Sequence, residues 1–540
     1  MNSLVLSPLI RDLADRAQAC WRAKQPIAAS LWGPVQHLGA EDLSDAGLLD
    51  WIDHLERLGA ESATARARAV TVADEALLTE LDRVVSDKLY QARVQQPYRV
   101  GLSPYLMLIG AGLLPFVLTP SLLTESPGAF EARLTAACQW LGEAERRHAS
   151  AGLSVREQDL LQARRLAESL AEFIAARSVD ERTQTAAENL GGQLRAWAEQ
   201  QPCQPTPSQR PAPDLESLLD ASLGTKKSLA WWQEQMLERL DLELERFNQA
   251  SADGGTLDDL ANRFDWPAVD GWSPDGDSGH SDAGTPADPF GVLPWLKTVY
   301  QRLQRQAHGR FFRDQPVSAP IRVAPPLATI LVPEALFLFD PASAARGSLL
   351  ISPQLLQRTR PMTWRFRMYA ALVVAHELCP GHHLHVVSGR NGALAPYLDV
   401  FQSPTGLEGW AVHAEHVVAE FGAAAAVVTH YQYIRRLLPA TLALTQVRNG
   451  KEAARQVLTD VIRRAPTLTK EITPDRLGWS SLPYAVGLLE AEMMLGQLYQ
   501  TLGAEDWLKT REAYLAQGIL SPSSAARMAA VALRSTGQGG

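Results

Sequence analysis

Cysteine is scarce in this chain. Four residues in 540 (Cys20, Cys138, Cys203 and Cys379) lie far apart, which excludes a disulfide-stapled scaffold and leaves no CxxC pair for a zinc knuckle. Positive charge is also in deficit: 51 Lys and Arg stand against 60 Asp and Glu, a formal net charge of −9. With no basic block to offset that balance, neither nucleic acid nor an anionic membrane is an expected partner. Long apolar runs are missing too. Val100–Thr124 carries no charge, but Pro104, Pro115 and Pro120 punctuate it, and its dense part, Tyr105–Leu118, falls short of the roughly 20 residues a membrane span needs. The expectation is a buried core segment. The first residues (MNSLVLSPLIRDLADRAQAC) place acids where an export signal needs its apolar centre, so a cytoplasmic location is expected. What is present is 46% hydrophobic residues, enough for a large core without staples.

The periodicity is mainly helical. Leu48–Leu58, Leu160–Ile174 and Leu229–Phe247 space their apolar residues by three and four, and Ala, Leu, Glu, Gln and Arg dominate between the breaks. Two stretches interrupt the pattern: the Pro-rich QPCQPTPSQRPAP over 201–213, and a Gly-, Asp- and Pro-rich loop over 270–289. Ile321–Ser352 differs again. ATILVP, EALFLFD and GSLLIS are short β-branched or aromatic runs bounded by Pro, Asp and Gly, which predict two or three strands. Helices resume near Thr363. The expected fold is therefore mainly α, a large helical body with a small sheet just before the histidine-bearing helix. The expected organisation is an N-terminal helical region (1–200), a linker (201–213), a catalytic region (214–534) and a disordered tail (535–540).

Seven of the twelve histidines fall at His376, His382, His383, His385, His413, His416 and His430. Their centre is AHELCPGHHLH, positions 375–385, after the apolar run MYAALVVA. The arrangement resembles the HExxH zinc motif with two residues inserted. In HExxH the histidines stand about 6 Å apart along one helix face, so both imidazoles reach one ion at about 2.1 Å. Here the second position is Pro380. On an unbroken helix His383 would lie roughly 10 Å along the axis from His376, and His382 would point about 120° away. Proline removes the bond back to the His376 carbonyl and glycine tolerates unusual dihedrals, so Pro380-Gly381 predicts a bulge that returns His382 to the ligand position. His382 is the expected second ligand and His383 the alternative. The helical segment LEGWAVHAEHVVAE offers Glu408 as the third ligand, and Glu415, two turns on, as the group that holds a ligand imidazole. Cys379, inside the motif, is expected to pack rather than react.

HELCPGHHLH followed by EGWAVHAE resembles the paired motifs HExxPGHHLQ and EGWALYAE of the bacterial domain of unknown function 885, whose members are mainly helical and resemble gluzincin-type zinc metallopeptidases. The short phrase EGWA is also similar to the ligand-bearing NEGFA segment of thermolysin-like aminopeptidases. The resemblance implies that His376, His382 and Glu408 bind the metal and that Glu377 is the catalytic carboxylate. It departs at three places: His413 stands where the family has Tyr, Ala440–Leu444 replaces its DTGIH segment, and Leu482-Pro483-Tyr484-Ala485 replaces its PGQ segment.

These residues lead to an expected reaction, hydrolysis of a peptide or small amide by one Zn2+ per chain, with Glu377 as general base. Fe2+ and Mn2+ suit the same donors. The oxyanion needs a further donor, and Tyr484, His413, His383 and Tyr431 are the candidates. Two other readings compete. Two histidines and a carboxylate also describe non-haem iron oxygenases, for which Glu377 would be superfluous. A non-catalytic scaffold would be free to lose that acid.

Overall fold

The computed structural model describes residues 5–32, 39–150, 152–177, 179–204, 215–252, 292–314, 318–332, 335–339, 347–357, 364–390, 392, 394–420, 423–465, 481–502 and 507–537. The loop expected at 270–289 and most of the linker expected at 201–213 lie outside them.

Helices dominate, with one three-stranded sheet. The three periodic segments fall inside the helices Asp45–Arg66, Glu157–Ala175 and Leu229–Ala252. Their register follows burial. In Glu157–Ala175 the buried apolar set is Leu160, Ala163, Leu166, Ala167, Leu170 and Phe173, a stripe that faces the core, and the one buried charge is Asp159, which caps the helix start. Start signals are local: Thr71 and Asp74 form a reciprocal capping box at the head of Val72–Tyr90. The charge-free segment is the helix Ser103–Leu118, with Tyr105, Leu106 and Phe116 fully buried, as expected for core. Among the described residues no helix is long and apolar enough to cross a membrane. The last helix, Pro522–Gly537, runs into the segment expected to be a disordered tail, because Ala525, Ala526, Met528 and Ala529 bury one face of it.

The strands are β1 (Ile321–Val323), β2 (Ala335–Phe339) and β3 (Gly347–Ile351), in the order β1-β3-β2. β1 runs parallel to β3 and β2 antiparallel, pairing Phe337 with Leu349. The run ATILVP is not a strand. Pro325 and Pro326 set a 3-10 turn over Pro326–Ala328, and Ala328 and Val332 join a small core beside Leu114 and Leu350 while Thr329 and Ile330 stay half-buried. β2 lies at the sheet's edge.

Helices between Ser103 and Ala198 build one apolar core around Phe116, Phe130 and Trp140. The main core joins the helices Pro8–Lys24, Asp45–Arg66 and Val72–Tyr90 to the C-terminal half, so the first 90 residues pack against the histidine region. Polar contacts fix that docking. Glu80, fully buried on Val72–Tyr90, accepts the backbone N–H of Ser521 at 3.0 Å and pairs with Arg83 at 2.9 Å, whose Nη2 donates to the carbonyl of Gln402 at 2.7 Å.

Nearby on the helix Leu482–Leu502, burial and then the charge of Glu80 push the Glu490 carboxyl up to about 8. Its ordinary value is 4.5, so between these limits the unfolded chain ionises while the folded one holds its proton. Stability contributed at low pH is therefore lost as pH rises toward 8. Glu490→Gln is expected to raise the thermal midpoint by about 2–4 °C at pH 8 and to leave it nearly unchanged at pH 5, as read by scanning fluorimetry.

Candidate metal centre

His376 and Glu377 occupy the last turn of the helix Trp364–Glu377. The helix stops because Pro380 has no N–H to give, and the bonds that follow reach further back than four residues. Cys379 N–H donates to the Val374 carbonyl, Gly381 N–H to Ala375 at 2.9 Å, and Leu384 N–H to Leu378 at 3.2 Å. A new helix, His382–Gly389, starts at once. Where the sequence predicts a bulge inside one helix, the chain makes two helices. The loss of helical bonds across five residues is too large for a single continuous ladder. Gly381 is obligatory: a Cβ there would lie 1.7 Å from the His376 carbonyl oxygen. The Cys379–Pro380 peptide is cis, and Cys379 is buried packing whose thiol is pushed up by desolvation.

The break brings His376 and His382 together, ring centroids 4.6 Å apart and edge to face. His383 goes elsewhere. Its ring meets Phe337 at 5.4 Å and its Nδ1 lies 3.5 Å from the Tyr300 hydroxyl. Glu408 arrives on the helix Pro404–Ala414, which Ser403 caps by accepting from Gly406 N–H. That helix lies against Leu482–Leu502 at backbone contact, since a Cβ on Gly409 would stand 2.2 Å from the carbonyl of Gly487. Trp410, fully buried, donates its indole N–H to the Pro380 carbonyl at 2.8 Å. Glu408 is thereby anchored to the very break that orients the histidines.

Glu408 Oε2 stands 3.3 Å from His376 Nε2 and 3.8 Å from His382 Nε2. It is buried, and neither contact has hydrogen-bond geometry. Donors around one tetrahedral ion at about 2.1 Å lie about 3.4 Å from each other, so this spacing suits a shared cation. Glu377 also belongs to the cluster, its carboxylate within 4.8 Å of both imidazoles. The residues present therefore fit a metal of the zinc, iron or manganese type.

The two carboxylates have opposite surroundings. Burial pushes Glu377 up to about 7, against the His376 charge and a hydrogen bond of 2.8 Å accepted from the Phe337 N–H of β2. Burial acts on Glu408 too, but the close approach of His376 and the charge of His382 outweigh it and hold the carboxyl down at about 2. Burial lowers His382 to about 3. For His376 burial acts downward as well, yet Glu408 and Glu415 override it and push the ring up to about 9.

Glu415 takes the position expected of it. Its Oε1 lies 2.8 Å from His376 Nδ1 and also accepts from Arg436. Arg436 continues over the ring of Tyr484, 5.3 Å from its centroid, and Tyr484 stacks on His376 at 6.2 Å. Burial and then the charge of Glu408 push the Tyr484 phenol up, so it stays a donor. His413 is not brought to this cluster. Its contacts are Trp410, His416 and Glu492, whose Oε1 is 3.6 Å from both His413 Nδ1 and His416 Nε2. Glu492 is bound by Arg239, which also holds Glu243, the partner of His430. Tyr431 packs on the main core under Arg435.

Sequence reasoning missed Arg436 and the Phe337 N–H. The first carried a usable signal, since a charge inside the apolar helical run YIRRLLPATLAL needs a buried partner. The second is a backbone group and left none. Glu415→Ala is expected to weaken Zn2+ binding by about 10–100-fold in chelator competition, whereas His413→Phe leaves it unchanged.

No protein-family model matches the chain, and no curated protein matches it. Among solved structures it is similar to a "putative lipoprotein" from Colwellia psychrerythraea at 14% identity and TM-score 0.66, covering 97% of this chain and 99% of that one. It is also similar to a "putative lipoprotein of unknown function" from Shewanella oneidensis at 13% identity and TM-score 0.62, covering 96% and 99%. These likenesses are of fold: the chain shares a mainly helical architecture, end to end, with both.

Proposed function

We propose that this chain is a metal-dependent hydrolase of peptide or amide bonds, with Zn2+ held by His376, His382 and Glu408. The observation that carries the reading is the convergence of His376, His382 and Glu408, with the Glu377 carboxylate beside both imidazoles. Their surroundings agree with it: contacts with the histidines favour the ionised form of Glu408, whereas burial favours the protonated form of Glu377, which suits a proton carrier. A bound zinc would supply a Lewis acid for the scissile carbonyl and a lower pKa for the attacking water.

Glu377 takes a proton from that water as its oxygen forms the new bond to the carbonyl carbon. The same carboxyl then delivers the proton to the amine as the C–N bond breaks. The Phe337 N–H holds the carboxylate in one orientation throughout. Tyr484, a protonated phenol against His376 and Glu408, is the candidate donor to the oxyanion. The edge of β2 passes beside Glu377 and offers backbone groups to an extended peptide. The resemblance of both motifs to the domain of unknown function 885, and through it to gluzincins, supports the same assignment.

An acid beside the first ligand is what separates this reading from the iron oxygenase and the inert scaffold. With a peptide or amide substrate found by screening, Glu377→Gln is expected to keep the metal and lose turnover by about 100-fold or more. Turnover near the wild-type level would end the proposed role. Oxygen consumption by an iron-loaded protein would replace the reaction class.

A further inference from the structure

A cleft of about 500 Å3 leads from Glu408 and Tyr484 to the N-terminal helix Val72–Tyr90, within the range of sites that enclose a small molecule. Its apolar lining includes Val84, Leu223 and Leu407; Lys88, Gln91 and Gln95 stand on the N-terminal wall. That wall has an unusual backbone. After Tyr90 the helix widens into a π turn over Gln91–Gln95, closed by Gln96 N–H to the Gln91 carbonyl at 2.8 Å. Gln96, not a glycine, then takes the left-handed conformation at φ 44°. Such departures are uncommon and concentrate at functional sites. Here they put two amide side chains, Gln91 and Gln95, onto the cleft beside Lys88.

The charges on the cleft are not equivalent. Arg83 is spent on Glu80 and the Gln402 carbonyl, and Glu408 on the imidazoles. Lys88 is held by Gln91 Oε1 at 3.0 Å and Asp87 at 3.3 Å, while Gln91 Nε2 donates to Asp87 at 2.9 Å. An ammonium has three donors, so this arrangement fixes the lysine and leaves one N–H for a ligand. The opposite end of the cleft carries the acids Glu408 and, behind it, Glu377. A substrate carboxylate is repelled there; Asp87 on the Lys88 wall offsets the lysine's charge, so what that wall offers a carboxylate is the remaining Lys88 N–H and the amides of Gln91 and Gln95.

We propose that this cleft takes a short peptide or N-acyl amino acid with a free carboxylate, bound by Lys88 with the amides of Gln91 and Gln95, so that the amide bond faces the metal centre. Only the orientation of the amide rests on the hydrolase reading; carboxylate recognition does not. The test is calorimetric titration of zinc-loaded, full-length Glu377→Gln protein with N-acetyl-alanyl-alanine and with its C-terminal amide. The acid is expected to bind about tenfold more tightly. Adding Lys88→Met is expected to remove that preference by weakening the acid more than the amide, and Gln95→Leu, on an exposed turn, to reduce it. Equal binding of acid and amide, no binding of either, or a preference that survives both substitutions overturns the proposal. Acid-selective, Lys88-dependent binding by a protein that hydrolyses nothing would uphold the cleft assignment and sink the hydrolase.

Discussion

One hydrogen bond, from the indole N–H of Trp410 to the carbonyl of Pro380, holds the centre's two halves together. Helix geometry alone would set His376 and His382 about 120° apart. The break at Pro380-Gly381 removes that angle, but a broken helix has unpaired carbonyls and freedom to move. Trp410 satisfies one carbonyl, and because it stands two residues after Glu408 it fixes the carboxylate relative to both imidazoles. The glycines make this possible by absence of a side chain. Gly381 lets the chain pass against the His376 carbonyl, and Gly409 lets its helix meet Gly487 at backbone distance.

On that frame the electrostatics are graded. Arg436 neutralises Glu415, Glu415 orients His376, and His376 draws Glu408 into its ionised state. Glu377, one residue from His376, is pushed toward neutrality by burial, with Arg436 acting on it only as a more distant charge. Two carboxylates a few ångströms apart therefore differ in proton affinity because of what each touches. That difference comes from the two motif histidines that Glu408 faces and from the burial of Glu377.

The motifs made much of this legible. Each residue of EGWA has a physical duty: a carboxylate facing both imidazoles, close approach, indole bond, and a buried alanine at position 411. In HELCPGHH, the proline and glycine predicted that His382 rather than His383 would face His376, though the helix divides instead of bulging. The helical fold was legible because apolar spacing and burial coincide, as in Glu157–Ala175. The misreading of ATILVP has a simple cause: β-branched residues signal burial in a turn as readily as in a strand, and Pro325-Pro326 decided between them. Arg436 was legible as a buried charge but its partner was not, and the Phe337 N–H and the Lys88 wall were illegible as a site because tertiary folding alone brings them to it, the wall from nearly 300 residues upstream.

The fold neighbours establish how the chain is built and leave its chemistry to the residues themselves. The central claim is that the break selects His382 as the second metal ligand. Elemental analysis of protein purified without added metal or chelator tests it most directly, on the wild type, His382→Ala and His383→Ala. The expected zinc contents are one per chain, none, and one. Full metal content in His382→Ala, or none in the wild type, would contradict the assignment.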